Sequence, residues 1–145
     1  MKRSAVFAAA MLLAATASAK PPEYFGSSAG LPFSEAVQVG DMLFLAGQIG
    51  AAPGTRTVVS GGIEAESKQA MDNIGSVLKR RQLGFDSLVK CTVMLADMKD
   101  WPAFNTVYAA YFKPGRFPAR SAFGANGLAL GSRVEVECWA HNPQK

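Results

Sequence analysis

The sequence predicts an α+β domain, a single mixed β-sheet with two helices packed on one of its faces. Strand and helix patterns follow in the order strands, helix, strand, helix, strand, and no repeat, low-complexity tract or long linker divides them. One layer of helices on one sheet is the economical way to bury both sets of apolar side chains. The opposite sheet face also carries apolar residues, and an uncovered apolar face favours self-association.

The first 19 residues have the pattern of a secretory signal peptide. Lys2 and Arg3 form a positive region, an apolar run follows over residues 5–15, and Ala17-Ser18-Ala19 matches a small-x-small cleavage site. The run is shorter than the roughly 20 residues that a membrane span needs. We therefore expect cleavage after Ala19, a periplasmic or secreted protein, and no membrane attachment after cleavage.

Cleavage would leave 145 − 19 = 126 residues, with an N-terminal arm over 20–31 and a single domain over 32–145. The signal peptide carries two of the 15 basic residues and no acid, so 13 Lys and Arg oppose 11 Asp and Glu, a net charge of +2. This small charge, without a basic stripe, argues against a nucleic-acid partner.

The first part of the domain predicts a β-hairpin. Residues 32–39 alternate loosely between apolar and polar and end at Gly40-Asp41, a turn signal. Residues 42–49 (MLFLAGQI) are predicted to form one mostly buried strand. A loop over 50–62 follows, with a possible short strand at 57–59.

Two helices are predicted, with a strand over residues 86–96 between them. Over 63–81, apolar residues recur every three to four positions, acidic residues stand in the first turns, and basic residues stand in the last turn. Gly84 follows this helix as a stop signal. Asp100 is a suitable N-cap for a second helix that runs to about Phe112.

Alternating residues predict the last strand. One face of this strand has Val134, Val136, Cys138 and Ala140, and the other has Arg133, Glu135, Glu137 and Trp139. A buried sheet face should be apolar, so the first set is expected to point inward. Cys91 falls on the inward face of the preceding strand, and the two cysteines are therefore possible neighbours, bonded or free.

The stretch over residues 118–139 collects the side chains that suit a binding site. Arg120 supplies a cation, the small residues over 121–127 suggest a flexible backbone segment, and Glu135 and Glu137 supply carboxylates on the solvent face. Together they could hold a small anionic molecule beside a polarised water. The alternatives are a surface arginine paired with a neighbouring acid, and glutamates that are only solvated strand residues.

Other chemistries are not indicated. His141 is the single histidine, so the sequence lacks the His, Cys and Asp clusters of a zinc site and the ordered histidine of a Ser-His-Asp triad. The glycines are scattered in turns and match no phosphate-binding loop. We therefore expect no metal and no organic cofactor.

Six short motifs lie in a fixed order along the chain: PFSEAV at 32–37, FLAGQI at 44–49, QAMDNI at 69–74, FNTVY at 104–108, PARS at 118–121 and VEVE at 134–137. Together they resemble the signatures of the Rid family, the YjgF-type reactive-intermediate deaminases that are also called L-PSP or RutC-like proteins. The resemblance covers about residues 31–140, which is nearly all of the mature chain.

The resemblance implies a chorismate-mutase-like fold, assembled as a homotrimer with clefts between subunits. It also implies an activity, the cofactor-free hydrolysis of small 2-imino or enamine acids to 2-keto acids and ammonia. Arg120 matches the family arginine that binds the substrate carboxylate, a task that suits a guanidinium fork. Glu135 matches the acid that positions the attacking water, while Gly47 and Asn105 match residues that line the cleft.

Several features depart from the family pattern. Phe33 stands where a tyrosine is usual, Ala122 stands where the deaminase branch commonly has a cysteine, and Ala129 replaces a proline. The signal peptide is a further departure, because well-known members are intracellular. A non-catalytic module that binds small carboxylates, or a holdase-like protein, is therefore the alternative. An endoribonuclease is a third interpretation, and the small net charge argues against it.

Overall fold

The computed structural model describes residues 20–26 and 30–143. The predicted signal peptide, residues 1–19, lies outside the described residues. Within them, no helix is both long enough and apolar enough to cross a bilayer.

Seven strands and two α-helices form the described fold. The strands are β1 (Glu23–Phe25), β2 (Ala36–Val39), β3 (Met42–Leu45), β4 (Gln48–Ile49), β5 (Leu88–Leu95), β6 (Ala119–Gly124) and β7 (Val134–His141). The helices are α1 (Gly62–Arg80) and α2 (Trp101–Ala109). Short 3-10 turns lie at Phe85–Ser87, Met98–Asp100 and Ala129–Gly131.

The strands form one mixed sheet in the order β1-β2-β3-β7-β5-β6, with β4 also pairing with β7. The β5–β6 pair is parallel, and the other pairs are antiparallel. Side chains from α1 and α2 share one buried cluster with the inward side chains of the central strands. The predicted fold class, a mixed sheet with two helices on one face, is confirmed.

The alternation predicted for the last strand is also confirmed. Val134, Val136, Cys138 and Ala140 are fully buried, whereas the residues between them are partly or largely exposed. Full burial of a side chain such as valine stabilises the fold by about 1.5–3 kcal/mol. Because the pattern has period two, a slip of one residue would bury Glu135 and Glu137 instead, so the register is strongly specified.

Two predicted boundaries are wrong in instructive ways. The strand predicted over 42–49 is two strands, β3 and β4, because the chain leaves the sheet at Ala46 and Gly47. The segment predicted to be flexible over 121–127 begins as β6, which pairs in parallel with β5. Small residues suit such a strand at the sheet edge, but they give no alternation from which to recognise it.

The second helix also differs from the prediction. It ends at Ala109, before the predicted Phe112. Asp100 does occupy the N-cap position, but its side chain makes no capping hydrogen bond. Its carboxylate instead accepts bonds from Arg133, at 2.9 Å from Nε and 2.8 Å from Nη2. Two hydrogen bonds from a guanidinium are stronger than one from a backbone N–H, which explains why the carboxylate binds Arg133.

The N-terminal arm is held against the domain. Its strand β1 pairs with β2, and the Arg81 guanidinium carbon lies 3.4 Å from the centroid of the Phe25 ring. Arg80 also forms an ion pair with Glu35 on the loop before β2. The loop expected after Gly50 retains a trace of the possible short strand, a single bridge between Ala51 and Val58.

Cys91 and Cys138 form a disulfide bond. They are direct register partners on β5 and β7, and both are fully buried. The sequence left their state open, since two inward positions on neighbouring strands fit a bonded or a free pair equally well. The bond ties together two central strands of the sheet.

Candidate active site

Arg120 lies on β6 and faces the helices. Its register partner is Cys91, whose side chain belongs to the buried core. Arg120 Nη2 donates a hydrogen bond of 2.6 Å to Asn105 Oδ1 on α2. The guanidinium carbon also lies 4.7 Å from the centroid of the Tyr108 ring. One strand and one helix therefore fix the position of this cation.

The Arg120 guanidinium is half-buried and still has bonding capacity. Among the described residues no acid forms an ion pair with it, and its Nε and Nη1 atoms donate no hydrogen bond. A cavity of about 330 Å³ adjoins it, lined by Asn105, Tyr108, Ala109, Phe117, Pro118 and Arg120. A partly desolvated cation without a counter-ion is costly, so the site favours an anion, and the fork geometry suits a carboxylate.

Ala122 lies on the same face of β6, two residues beyond Arg120. Its register partner is Val93, and it packs against the core. The structure therefore brings together three of the residues selected from the sequence: Arg120, Asn105 and Ala122. The small side chain at 122 offers no donor or acceptor beside the guanidinium.

Glu135 lies on β7, on the sheet face that the helices do not cover. It is paired with Met94 of β5 and with Ile49 of β4. Burial raises the pKa of the Glu135 carboxyl, and the neighbouring Glu137 charge raises it further. No described residue donates a hydrogen bond to it or forms an ion pair with it. A carboxylate with a raised pKa and no partner is a good proton acceptor.

Gly47 is held against this carboxylate. A Cβ atom at Gly47 would overlap Glu135 Oε1 and would come within 3.0 Å of Glu135 Cδ. The absence of a side chain at 47 thus creates the space that the carboxyl group occupies. The break between β3 and β4, which the sequence did not predict, brings the Gly47 backbone to that place.

Within one chain, Arg120 and Glu135 are on opposite faces of the sheet. Arg120 is in register with Cys91, and Glu135 with Met94, three residues further along β5. Their backbones are therefore two strand spacings apart across the sheet and three residues apart along the strands, which is about 10 Å in each direction. One chain therefore does not present both groups to the same small molecule.

Phe33 is not brought to either group by any aromatic or cation–π contact among the described residues. It is 52% exposed, on the loop before β2. Tyr108, in contrast, contacts Arg120, although the sequence predicts no functional role for it. Its three-residue spacing from Asn105 puts both side chains on one helix face, and this spacing was the signal available in the sequence.

A second groove, of about 560 Å³, lies between the helices and is larger than the Arg120 cavity. Two of its polar groups already have a partner: Lys68 pairs with Asp72, and the Tyr111 hydroxyl donates a 2.7 Å hydrogen bond to the same carboxylate. Size alone does not make a site, and the Arg120 cavity has a half-buried cation without an acid partner among the described residues, whereas Glu64 in the larger groove is exposed. No group of three His, Cys, Asp or Glu side chains in the described part of the chain is placed to hold a metal ion.

The chain is similar to known proteins over most of its length. The family model described as Endoribonuclease L-PSP matches residues 27–142. The 2-iminobutanoate/2-iminopropanoate deaminase of Mus musculus is 44% identical over 109 residues, which cover 75% of this chain and 80% of that protein. The goat (Capra hircus) protein of the same name is 43% identical over 122 residues, 84% of this chain and 85% of that protein.

Solved structures agree with this relationship. Yeast Mmf1 superposes with a TM-score of 0.78 at 30% identity, and the match covers 84% of this chain and 99% of that chain. YyfA from Yersinia pestis, described as a protein of unknown function of the Rid family, superposes with a TM-score of 0.78 at 32% identity. That match covers 83% of this chain and 99% of the YyfA chain. The chain therefore belongs to the L-PSP family, which is also called the Rid or YjgF family.

Proposed function

We propose that the protein hydrolyses small 2-imino or enamine acids to 2-keto acids and ammonia, without a cofactor. The observation that carries the proposal is the Arg120 guanidinium, half-buried beside a small cavity with no acid partner among the described residues. The similarity to proteins named 2-iminobutanoate/2-iminopropanoate deaminase supports the choice of reaction.

In this proposal, Arg120 binds the substrate carboxylate. Asn105 holds Nη2, and the remaining edge of the guanidinium offers two N–H groups to the two carboxylate oxygens. This interaction places the neighbouring C=N carbon at a fixed distance from the cation. Positioning of this kind lowers the entropic part of the activation free energy, because the reacting groups no longer have to meet by diffusion.

Glu135 acts as the general base and then as the general acid. Its carboxylate takes a proton from water while the water oxygen bonds to the C=N carbon, and the double-bond electrons move to nitrogen. Glu135 then returns the proton to that nitrogen, which gives a carbinolamine. The carboxylate next takes the proton of the carbinolamine hydroxyl and passes it to the nitrogen, so that the C–N bond breaks, ammonia leaves and the C=O bond forms. Burial raises the pKa of the Glu135 carboxyl, which makes its carboxylate a stronger base than that of an ordinary glutamate.

We propose a homotrimer in which each cleft combines Arg120 of one subunit with Glu135 of a neighbour. Two groups on opposite faces of one sheet can meet only when another copy supplies one of them. The open sheet face carries apolar surface that a neighbour would cover. Phe44 and Trp139 pack edge to face at 5.2 Å there, and Trp139 remains 39% exposed.

We also propose that the protein functions in the periplasm or outside the cell. The Cys91–Cys138 disulfide supports this location, because structural disulfides persist in oxidising compartments. The signal-peptide pattern at residues 1–19 points the same way. The substrate would then be an imine that arises or arrives outside the cytoplasm.

The activity is tested with imines generated in the assay. An amino-acid oxidase supplies 2-iminopropanoate or 2-iminobutanoate, semicarbazide traps the imine, and the protein is added. We expect the protein to lower the yield of semicarbazone, and R120A to behave like a reaction without enzyme. The matched control is R116A, which removes an exposed arginine four residues away. An unchanged semicarbazone signal with the wild type would reject the proposal.

Ala122 favours a second candidate, a module that binds small carboxylates without turnover. An alanine there lacks the thiol that the resembling deaminases commonly have two residues after the arginine. Under this alternative, pyruvate raises the melting temperature of the wild type but not of R120A, and no imine is hydrolysed. A gain of hydrolysis in A122C would show that the thiol is the missing group. Intact RNA after incubation with highly purified protein would exclude the endoribonuclease interpretation.

A further inference from the structure

We infer that Tyr108 is a positioning residue for carboxylate binding, because the Arg120 guanidinium lies over the face of its ring and is held there. The inference rests on the proposed function of the Arg120 site. It gives a role to Tyr108, which the FNTVY motif contains but for which the sequence predicts no function.

The contact geometry distinguishes Tyr108 from its neighbours. The Arg120 guanidinium carbon lies 4.7 Å from the Tyr108 ring centroid, compared with 5.6 Å for Trp101 and 5.7 Å for Phe104. A cation within about 6 Å of a ring face is attracted by the ring quadrupole, and the shortest contact dominates. Asn105 holds Nη2 from the same helix, so α2 constrains the fork at two points.

The ring, and not the hydroxyl, carries this role. Tyr108 is 4% exposed, and its hydroxyl has no hydrogen-bond partner among the described residues. Burial raises the pKa of this hydroxyl to about 12, although the Arg120 charge opposes the shift, so the group stays neutral. A neutral, unpaired hydroxyl adds little, whereas the negative ring face partly offsets the missing counter-ion.

The ring itself is held rigidly. It lies between Phe104, with centroids 5.5 Å apart, and Phe112, with centroids 4.7 Å apart. These three side chains belong to the buried core. Because the core holds the Tyr108 ring in place, the ring also restricts the motion of the guanidinium that lies over it. Arg120 therefore loses less side-chain freedom when a carboxylate binds.

The test compares Y108L, Y108F and a control, F85L. The control removes a partly buried ring that packs against the same core but contacts Tyr111 and Phe112 rather than Tyr108 or Arg120. Each variant is measured for KM and kcat with 2-iminopropanoate, for Kd with pyruvate by calorimetry, and for melting temperature. Y108M, whose flexible side chain fills an irregular core space without a ring face, replaces Y108L if that variant does not fold.

We expect Y108L to raise KM and the pyruvate Kd about tenfold, with kcat within about threefold of wild type. Y108F keeps the ring, so both constants stay within about twofold. F85L lowers the melting temperature, because it removes a ring packed against the core, but leaves KM unchanged. An unchanged KM in Y108L, or an equal rise in F85L, would overturn the inference and leave the proposed function intact.

The outcome also separates the two proposals. If the wild type hydrolyses no imine, the proposed function fails, and Tyr108 is judged by the pyruvate Kd values alone. A tenfold rise in that Kd for Y108L, in a protein whose R120A variant binds no pyruvate, would still support the inference. Absence of Arg120-dependent pyruvate binding in the wild type would overturn it.

Discussion

The Arg120 region and the Glu135 region are built in different ways. Arg120 sits at the sheet edge and is fixed by tertiary contacts with Asn105 and Tyr108 of a helix. Glu135 sits on a central strand and is fixed by its sheet partners and by the close approach of Gly47. Among the described residues, the Arg120 cation has no acidic partner and the Glu135 carboxylate has no basic partner.

Each region is therefore fully held in place by its own chain, but neither one contains all the groups that the proposed reaction needs. Their charges are complementary, but the sheet separates them within one chain. A site made of both needs a second copy of the chain, and that requirement follows from strand register alone. The following predictions test whether the two regions work together and how each is held.

The largest effect is expected from mixing two inactive variants. R120A and E135A each lack one half of every cleft, so each is expected to be inactive in the semicarbazide assay. Subunits exchanged between the two, by co-expression, should rebuild about a quarter of the clefts from one intact Arg120 and one intact Glu135. A mixture as inactive as its parents, although mass spectrometry shows mixed trimers, would place both groups in one chain's site.

The next effect concerns the Glu135 region alone. G47A introduces a Cβ into the space of the Glu135 carboxyl, which must move away. Displacement of a catalytic group by about 1 Å can cost on the order of 100-fold, so we expect kcat to fall about 10- to 100-fold. G84A is the control, since a Cβ there meets nothing within 4 Å and the backbone is extended. Equal kcat values for G47A and wild type would show that Glu135 is not held by this contact.

A smaller effect on activity, but a clear one on stability, is expected from the disulfide. The bond closes a loop between residues 47 apart in sequence, so C91A/C138A should lower the free energy of unfolding by about 2–4 kcal/mol. Neither cysteine lines the Arg120 cavity. We therefore expect kcat/KM at 25 °C to stay near the wild-type value, as measured beside denaturant unfolding curves. A loss of activity without a loss of stability would give the bond a role in the site.

The smallest effect is a shift in pH dependence. The Glu137 charge is the second cause of the raised pKa of Glu135, after burial. E137Q removes that charge, so the pKa of Glu135 falls and the acid limb of the kcat/KM profile moves to lower pH. E137D keeps the charge and should keep the limb in place. A limb that moves to higher pH in E137Q would show that another group controls it.

The fold could be predicted from the sequence where side-chain patterns report on burial. The alternation of Val134, Val136 and Cys138 and the three-to-four spacing in α1 both follow from a face that must be covered. The position of β6 could not be predicted, because its small residues have no alternation and its partner β5 is reached through a helix. The break between β3 and β4 at Gly47 could not be predicted either, because the segment MLFLAGQI is almost uniformly apolar and gives no sign of where a strand would end.

The candidate site shows the same limit. Motif resemblance selected Arg120, Asn105 and Glu135, and spacing alone left Glu137 as an equal candidate. What no pattern in the sequence revealed is that Arg120 and Glu135 face opposite ways, because that depends on which strands are neighbours. For Asp100 the position was predicted correctly and the contact was not. It lies at the start of α2 as expected, but its carboxylate accepts hydrogen bonds from Arg133 instead of capping the helix.

The place of β7 in the sheet has a consequence for how the protein is made. This strand is the last to be synthesised, yet it lies in the middle and joins β3 and β4 on one side to β5 on the other. A nascent chain that ends before residue 134 holds two unconnected groups of strands, with the Cys91 thiol lacking its partner. Completion of the sheet must therefore await the C-terminus, and a chain truncated by a dozen residues would lose its middle rather than its edge.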